Sequence, residues 1–245
     1  KIIERAEIPI RAISKGDAKI IKRDIGYIRL NSFISHDASN EMREAVSKLE
    51  DAKGLIIDLR NNPGGLLTNA IEISDMFLDN GLIVSTVDRD GYIQSVKANK
   101  DSITNIPVVV LVNENSASAS EIFSGALKDN QRAVVVGSTT FGKGLVQGIN
   151  KLDDGSGVNI TIAKYLTPAK IDINELGVKP DIEVKLTTDD YKDSKGPWFS
   201  DPNNLPSKRK PDDGKDAQLT KGIEILKDMI KVVGRGVKND TASLF

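Results

Sequence analysis

The sequence predicts an α/β fold with a largely parallel sheet and crossover helices. Two observations carry this expectation. Residues 54–59 (GLIIDL) and 107–112 (PVVVLV) are almost wholly apolar, as strands covered on both faces are. Around them, stretches with apolar residues at helical spacing alternate with further strand-like runs, the pattern of repeated strand–helix–strand units. The chain has 245 residues, 39% hydrophobic and 28% charged. That suffices for one large core, or one core with a small appendage.

Taken in order, residues 1–13 carry closely spaced apolar residues and predict one or two strands. Residues 24–30 (DIGYIRL) predict another. Met42, Ala45, Val46 and Leu49 recur at helical spacing over 40–50, with Ala38-Ser39-Asn40 available as a cap. After the 54–59 strand and a turn at 61–65, a helix is predicted over 68–78. The 107–112 strand leads through 113–116 into a helix from about 118 to 129. A strand at 133–136, a glycine-rich loop and a strand at 158–165 follow. Residues 189–215 are rich in Asp, Lys, Pro, Ser and Asn and predict an exposed linker. Helical periodicity returns over 216–233, with Leu219, Ile223, Leu226, Ile230 and Val233 on one face. Residues 234–245 read as a loose tail. The predicted division is an N-terminal strand segment over 1–20, a core over 21–186, and a linker with a C-terminal helical appendage over 187–245.

Composition excludes several chemistries. The formal net charge of −1 predicts no nucleic-acid partner. No apolar run is long enough to span a membrane. Cysteine is absent, which removes thiolate nucleophiles, disulfides and Cys-ligated zinc; His36 is the one histidine, so a multi-His metal site is excluded as well. No basic segment followed by an apolar one opens the chain. Lys1 stands first in place of methionine, so the sequence reads as a fragment or processed form.

Three segments could carry chemistry. Residues 58–66 (DLRNNPGGL) end a buried-type strand in consecutive glycines. Gly64 and Gly65 can present backbone N–H groups as an oxyanion hole would; the ordinary alternative is a plain tight turn. Residues 113–121 (NENSASASE) place hydroxyls at a strand-to-helix junction near the positive end of a helix dipole. The ordinary alternative is a serine helix cap, and Ser116, Ser118 and Ser120 are equal candidates on pattern alone. Residues 141–147 (FGKGLVQ) flank Lys143 with glycines in an apolar loop. If buried, its amine would lose charge readily and could take a proton from a serine. The ordinary alternative is an exposed or anion-binding lysine. His36 is the rival base, in a polar stretch that suits a surface residue.

Taken together, GDAKIIKRDIGYIRLNSF, GLIIDLRNNPGGLL, VVVLVNENSASASEIFSGALKD, GSTTFGKGLVQ, YLTPAKIDINELGVKPDIEV and DAQLTKGIEILK resemble, in order and spacing, the C-terminal processing peptidases, also called tail-specific proteases. The resemblance implies a ClpP/crotonase-like core and a serine endopeptidase acting near substrate C-termini. It implies Ser118 as nucleophile, Lys143 as general base and Gln147, placed one turn later if the segment is helical, as the residue that orients the lysine. By position it implies oxyanion donors at the backbone of Gly64 or Gly65 and of Ala119. No metal or other cofactor is implied. A protein or peptide substrate is implied, an extracytoplasmic location (bacterial periplasm or cell envelope) is expected, and a homo-oligomer or regulatory partner is admitted. The family's substrate-capturing PDZ domain is not expected in this chain, and Ala169-Lys170 replaces a glycine often found after Y-x-T-P. The alternatives are an inactive peptide-binding or scaffold member of the same family, and a crotonase-like acyl-CoA enzyme, which would not need FGKGLVQ.

Overall fold

A computed structural model describes residues 10–99, 101–199, 209–211 and 213–242, the side chains of Ile149 and of 235–242 excepted. The elements run β1 (Ala18–Ile21), β2 (Ile25–Arg29), α1 (Ala38–Ser47), β3 (Gly54–Asp58), α2 (Leu67–Asp75), β4 (Leu82–Asp88) and β5 (Ile93–Lys97). They continue with β6 (Val108–Val112), α3 (Ala119–Asp129), β7 (Ala133–Gly137), β8 (Leu145–Lys151), β9 (Gly157–Leu166), β10 (Ile182–Glu183), α4 (Thr188–Lys192) and α5 (Ala217–Ala242).

The expected α/β class is what the chain adopts. One sheet has the order β1-β2-β3-β6-β7-β10. All its pairings are parallel except β1 with β2. Every residue of β3 and β6 is buried, and the two-residue period of a strand explains how. Leu55, Ile57, Val108 and Val110 point into the layer that holds Met42 of α1, Ile73 of α2 and Phe123 of α3. Their neighbours Ile56, Val109 and Leu111 point the other way, onto Leu219, Ile223 and Leu226 of α5. The sheet is thus sandwiched, and both of its central strands end at the candidate site.

A second sheet, β5-β4-β9-β8, is antiparallel throughout. Neither it nor strands β4, β5, β8 and β10 were legible in the sequence pattern. β8 lies at its edge and begins two residues after Lys143.

Several expectations need correction. The strand expected over 1–13 falls on residues 1–9, outside those described, and on 10–13, which carry no strand; the first strand is β1. Helix α1 starts after Asp37, with no side-chain capping hydrogen bond, so Ala38-Ser39-Asn40 is inside the helix and not its cap. The linker contains α4, closed by Thr187 and Asp190 in a reciprocal capping box. Val233 is 54% exposed and leaves the packed stripe of α5. That helix runs on to Ala242 where a tail was expected. The last three residues lie outside those described.

Candidate active site

The turn after β3 is built by its asparagines. Asn62 Nδ2 donates to Leu30 O at 2.7 Å, and Asn62 Oδ1 accepts from Gly64 N at 2.9 Å. The Asn62 carbonyl accepts from Ala117 N at 3.0 Å and from Ser120 Oγ at 2.9 Å. Asn61 N donates to Asn113 Oδ1 at 2.8 Å, and Asn113 Nδ2 returns a bond to Asn61 Oδ1 at 2.7 Å. The segment from Leu59 to Gly65 and the segment from Asn113 to Ser120 are therefore laced into one unit. Glycine is required at 64, which sits at φ 95°. A β-carbon there would lie 2.6 Å from Ala117 O and 2.9 Å from both Ala119 N and Ser118 Cβ. Gly65, at φ 152°, is pressed against the Phe33 carbonyl carbon in the same way.

The structure separates the three serines that pattern alone left equal. Ser116 is fully buried and donates to Leu59 O at 2.8 Å. Ser120 is fully buried and donates to the Asn62 carbonyl. Ser118 is half-buried and stands at the start of α3 with φ 56° and ψ −113°. An ordinary N-cap residue is extended; Ser118 is not, so its backbone is held by its surroundings.

The residue that does this holding was missed in the sequence. Glu121, one turn into α3, is fully buried. Its Oε2 accepts from Ser118 N at 2.7 Å and from Lys143 N at 2.9 Å. Its Oε1 accepts from Thr140 Oγ1 at 2.6 Å and from Gly142 N at 2.7 Å. One carboxylate thus fixes the backbones of two candidate residues that are 25 positions apart in sequence. Their nitrogens share an oxygen and lie no farther apart than the sum of those two bonds. Phe141 N adds a bond to Ser116 O at 3.0 Å, and Glu175 N adds one to Gly142 O at 2.8 Å. The S-x-x-E spacing of a capping box, Ser118 to Glu121, is the signal that could have found it.

Lys143 departs from expectation. Its side chain is exposed, not buried, and among the described residues no hydrogen bond joins its amine to the Ser118 hydroxyl. Gln147 departs too. The segment is not helical: Gln147 lies on β8, paired opposite Thr161, just beyond a register shift after Val146. The helical i, i+4 argument fails, since four residues of extended chain span about 13 Å. His36 is exposed, and no hydrogen bond ties it to Ser118. Of the expected oxyanion donors, Gly64 N is already committed to Asn62 Oδ1. Gly65 N and Ala119 N have no acceptor among the described residues.

Beneath the turn, Arg60 is fully buried between two carboxylates. Its Nε and Nη2 bond Asp58 at 2.9 and 2.6 Å, and its Nη1 and Nη2 bond Asp216 at 2.8 and 2.9 Å. Burial alone would lower the pKa of the guanidinium, but Asp216 and Asp58 outweigh it and hold the value above its ordinary range. Tyr27 donates to Asp58 Oδ2 at 2.8 Å, and its hydroxyl is pushed well up by burial first and by Asp58 second.

Comparison with known proteins bears on the family and the fold. The model of the family described as peptidase family S41 matches residues 24–184. A carboxyl-terminal-processing protease of Synechocystis sp. is 51% identical over 165 residues, which are 66% of this chain and 38% of the relative. The carboxy-terminal processing protease CtpA of Bacillus subtilis is 35% identical over 239 residues, 96% of this chain and 48% of the relative. Among solved structures, a photosystem II D1 C-terminal processing protease superposes with a TM-score of 0.62 at 42% identity, over 71% of this chain and 45% of that one. The chain spans less than half the length of each of these proteins.

Proposed function

The chain belongs to peptidase family S41, and from that membership we propose that it cleaves protein or peptide substrates near their C-termini through a Ser118 acyl-enzyme. One observation carries the assignment of the nucleophile. Of the three neighbouring serines, Ser116 and Ser120 are buried and spend their hydroxyls on the glycine turn, whereas Ser118 is accessible beside it.

In this reading the Lys143 amine acts as general base, taking the proton from Ser118 Oγ as the hydroxyl attacks the scissile carbonyl. The sharing of Glu121 Oε2 supports it, because a lysine side chain spans about 6 Å and the two backbones are closer than that. The tetrahedral oxyanion is received by the free N–H groups of Gly65 and Ala119. Lys143 then protonates the departing amine, and water releases the acyl group. Gln147 orients Lys143 if the lysine side chain lies along β8, so this role is secondary in the proposal. On the same reading, 21–186 is the protease core and 187–245 a linker and appendage. Action outside the cytoplasm belongs to the proposal too; no helix among the described residues is long and apolar enough to cross a membrane.

The test is direct. Ser118→Ala and Lys143→Ala should each abolish cleavage of a fluorogenic peptide with circular dichroism unchanged; full activity in either would refute the mechanism. The exposed Lys143, unbonded to Ser118, favours a second reading, an inactive peptide-binding member. Reaction with a fluorophosphonate separates the two, since labelling at Ser118 requires an activated hydroxyl.

A further inference from the structure

We propose that Asp216, in the C-terminal part of the chain, is a positioning residue for the glycine turn of the active site, acting through Arg60. The proposal deepens the peptidase reading and rests on it for its kinetic consequences.

The Arg60 side chain has five N–H donors, and all five are used. Nε takes Asp58 Oδ1, Nη2 takes Asp58 Oδ2 and Asp216 Oδ2, and Nη1 takes Asp216 Oδ1 and, at 3.2 Å, Gln218 Oε1. Both aspartates are committed elsewhere. Asp58 Oδ1 also accepts from Arg60 N at 3.0 Å. Asp216 also accepts from Trp198 N and Leu219 N, each at 3.0 Å, and so caps the first turn of α5. Every group in this cluster has little freedom to reorient.

Arg60 directly precedes the turn. Asn61 is bonded to Asn113, and Asn62 to Ala117, Ser120 and Gly64. Gly64 in turn meets the Ser118 β-carbon with no room for one of its own. A contiguous hydrogen-bonded path therefore runs from the start of α5 to the backbone beside the nucleophile. Asp216 reaches no reacting atom; its effect is on where the Gly65 N–H and Ser118 stand. If Asp216 is lost, Arg60 keeps its charge in a dry site with two of its five side-chain hydrogen bonds gone, and the turn is where it can yield.

The experiment compares the protein with Asp216→Asn and Asp216→Ala in three readouts: amide exchange by mass spectrometry, kcat and KM for a fluorogenic peptide, and the rate of fluorophosphonate labelling. The expected result is at least tenfold faster exchange in peptides covering 59–66, with the β6 peptide unchanged. With it should come a 10- to 100-fold drop in kcat and in labelling rate, with KM within about twofold. Asp216→Asn, which keeps one oxygen acceptor, should fall between wild type and Asp216→Ala. If Asp216→Ala does not fold, Asp216→Asn decides on the same readouts. Unchanged exchange over 59–66 in a folded variant overturns the proposal, as does unchanged kcat and labelling. Faster exchange in the variants together with a wild type that neither cleaves nor labels would leave the coupling standing and reject the peptidase reading instead.

Discussion

Replacing Glu121 by alanine removes one acceptor group and strands four donors: Ser118 N, Lys143 N, Gly142 N and Thr140 Oγ1. The Thr140 hydroxyl can turn elsewhere; the three amides cannot. A buried N–H left without a partner costs about 1–3 kcal/mol; Gly142 N is buried and the Ser118 and Lys143 amides are partly so, so the loss lies toward the lower end of about 3–9 kcal/mol if nothing moved. The lower end corresponds to a drop of about 6–12 °C in melting temperature for a chain of this size. The structure can avoid part of that cost by letting the Thr140–Lys143 segment swing out toward water. A displacement near 1 Å between Ser118 and Lys143, the proposed nucleophile and base, costs on the order of 100-fold in rate. The expected outcome for Glu121→Ala is therefore a lower melting temperature and a kcat lowered about 100-fold or more, with KM little changed. Glu121→Gln is milder, because its carbonyl can keep the Ser118 and Lys143 amides while its NH2 group donates to the rotated Thr140 hydroxyl. It then leaves one donor, Gly142 N, facing an NH2, at about 1–3 kcal/mol. The assay is steady-state hydrolysis of a fluorogenic peptide, normalised to titratable Ser118, beside a thermal melt. An alanine variant equal to wild type in both measurements would refute the idea that Glu121 assembles the site.

Two further outcomes follow from the geometry. Gly64→Ala forces a β-carbon to 2.6 Å from Ala117 O at φ 95°; it should lower stability by about 2 kcal/mol or more and abolish labelling of Ser118, checked by urea unfolding and fluorophosphonate reaction. Tyr27 has a folded pKa raised well above 10.0 by burial and by Asp58, so its neutral form is the one the fold favours. Its contribution is present below pH 10 and is lost as pH rises through 10 toward the folded value. Urea midpoints measured at pH 9 and pH 11 should fall less in Tyr27→Phe than in wild type; equal losses would show that Tyr27 does not contribute to the pH response.

How much of this was legible in the sequence depended on the range of the interactions involved. The central strands GLIID and VVVLV were legible because burial on both faces leaves an unbroken apolar run. Helix α3 was legible because a serine-rich junction follows such a run. β8 was not, because a glutamine, a glycine, an asparagine and a lysine break the period of an edge strand. The short pairing of β10 with β7 depends on partners more than 40 residues away. At the site, the three serines are identical in local pattern; what separates them is which hydroxyl meets a carbonyl of the glycine turn, some 57 residues upstream. Glu121 was written in the sequence as a capping-box spacing, but its bonds to Gly142 and Lys143 were not. The pairing of Arg60 with Asp216 joins residues 156 positions apart and has no local signature at all.

The backbone of Ser118 has one more consequence. A serine held at φ 56° and ψ −113° sits outside the populated regions for an L-residue, at a cost of about 1–3 kcal/mol. Glycine would bear none of that strain, though it would surrender about 0.5–1 kcal/mol in chain entropy. The fold is therefore no more stable for having a hydroxyl here, and would be as stable, or more so, with none. In a protein selected for persistence alone, position 118 would drift toward glycine. Under the proposed function, the serine stands at this strained position for its hydroxyl, the one of the three that the interior does not use.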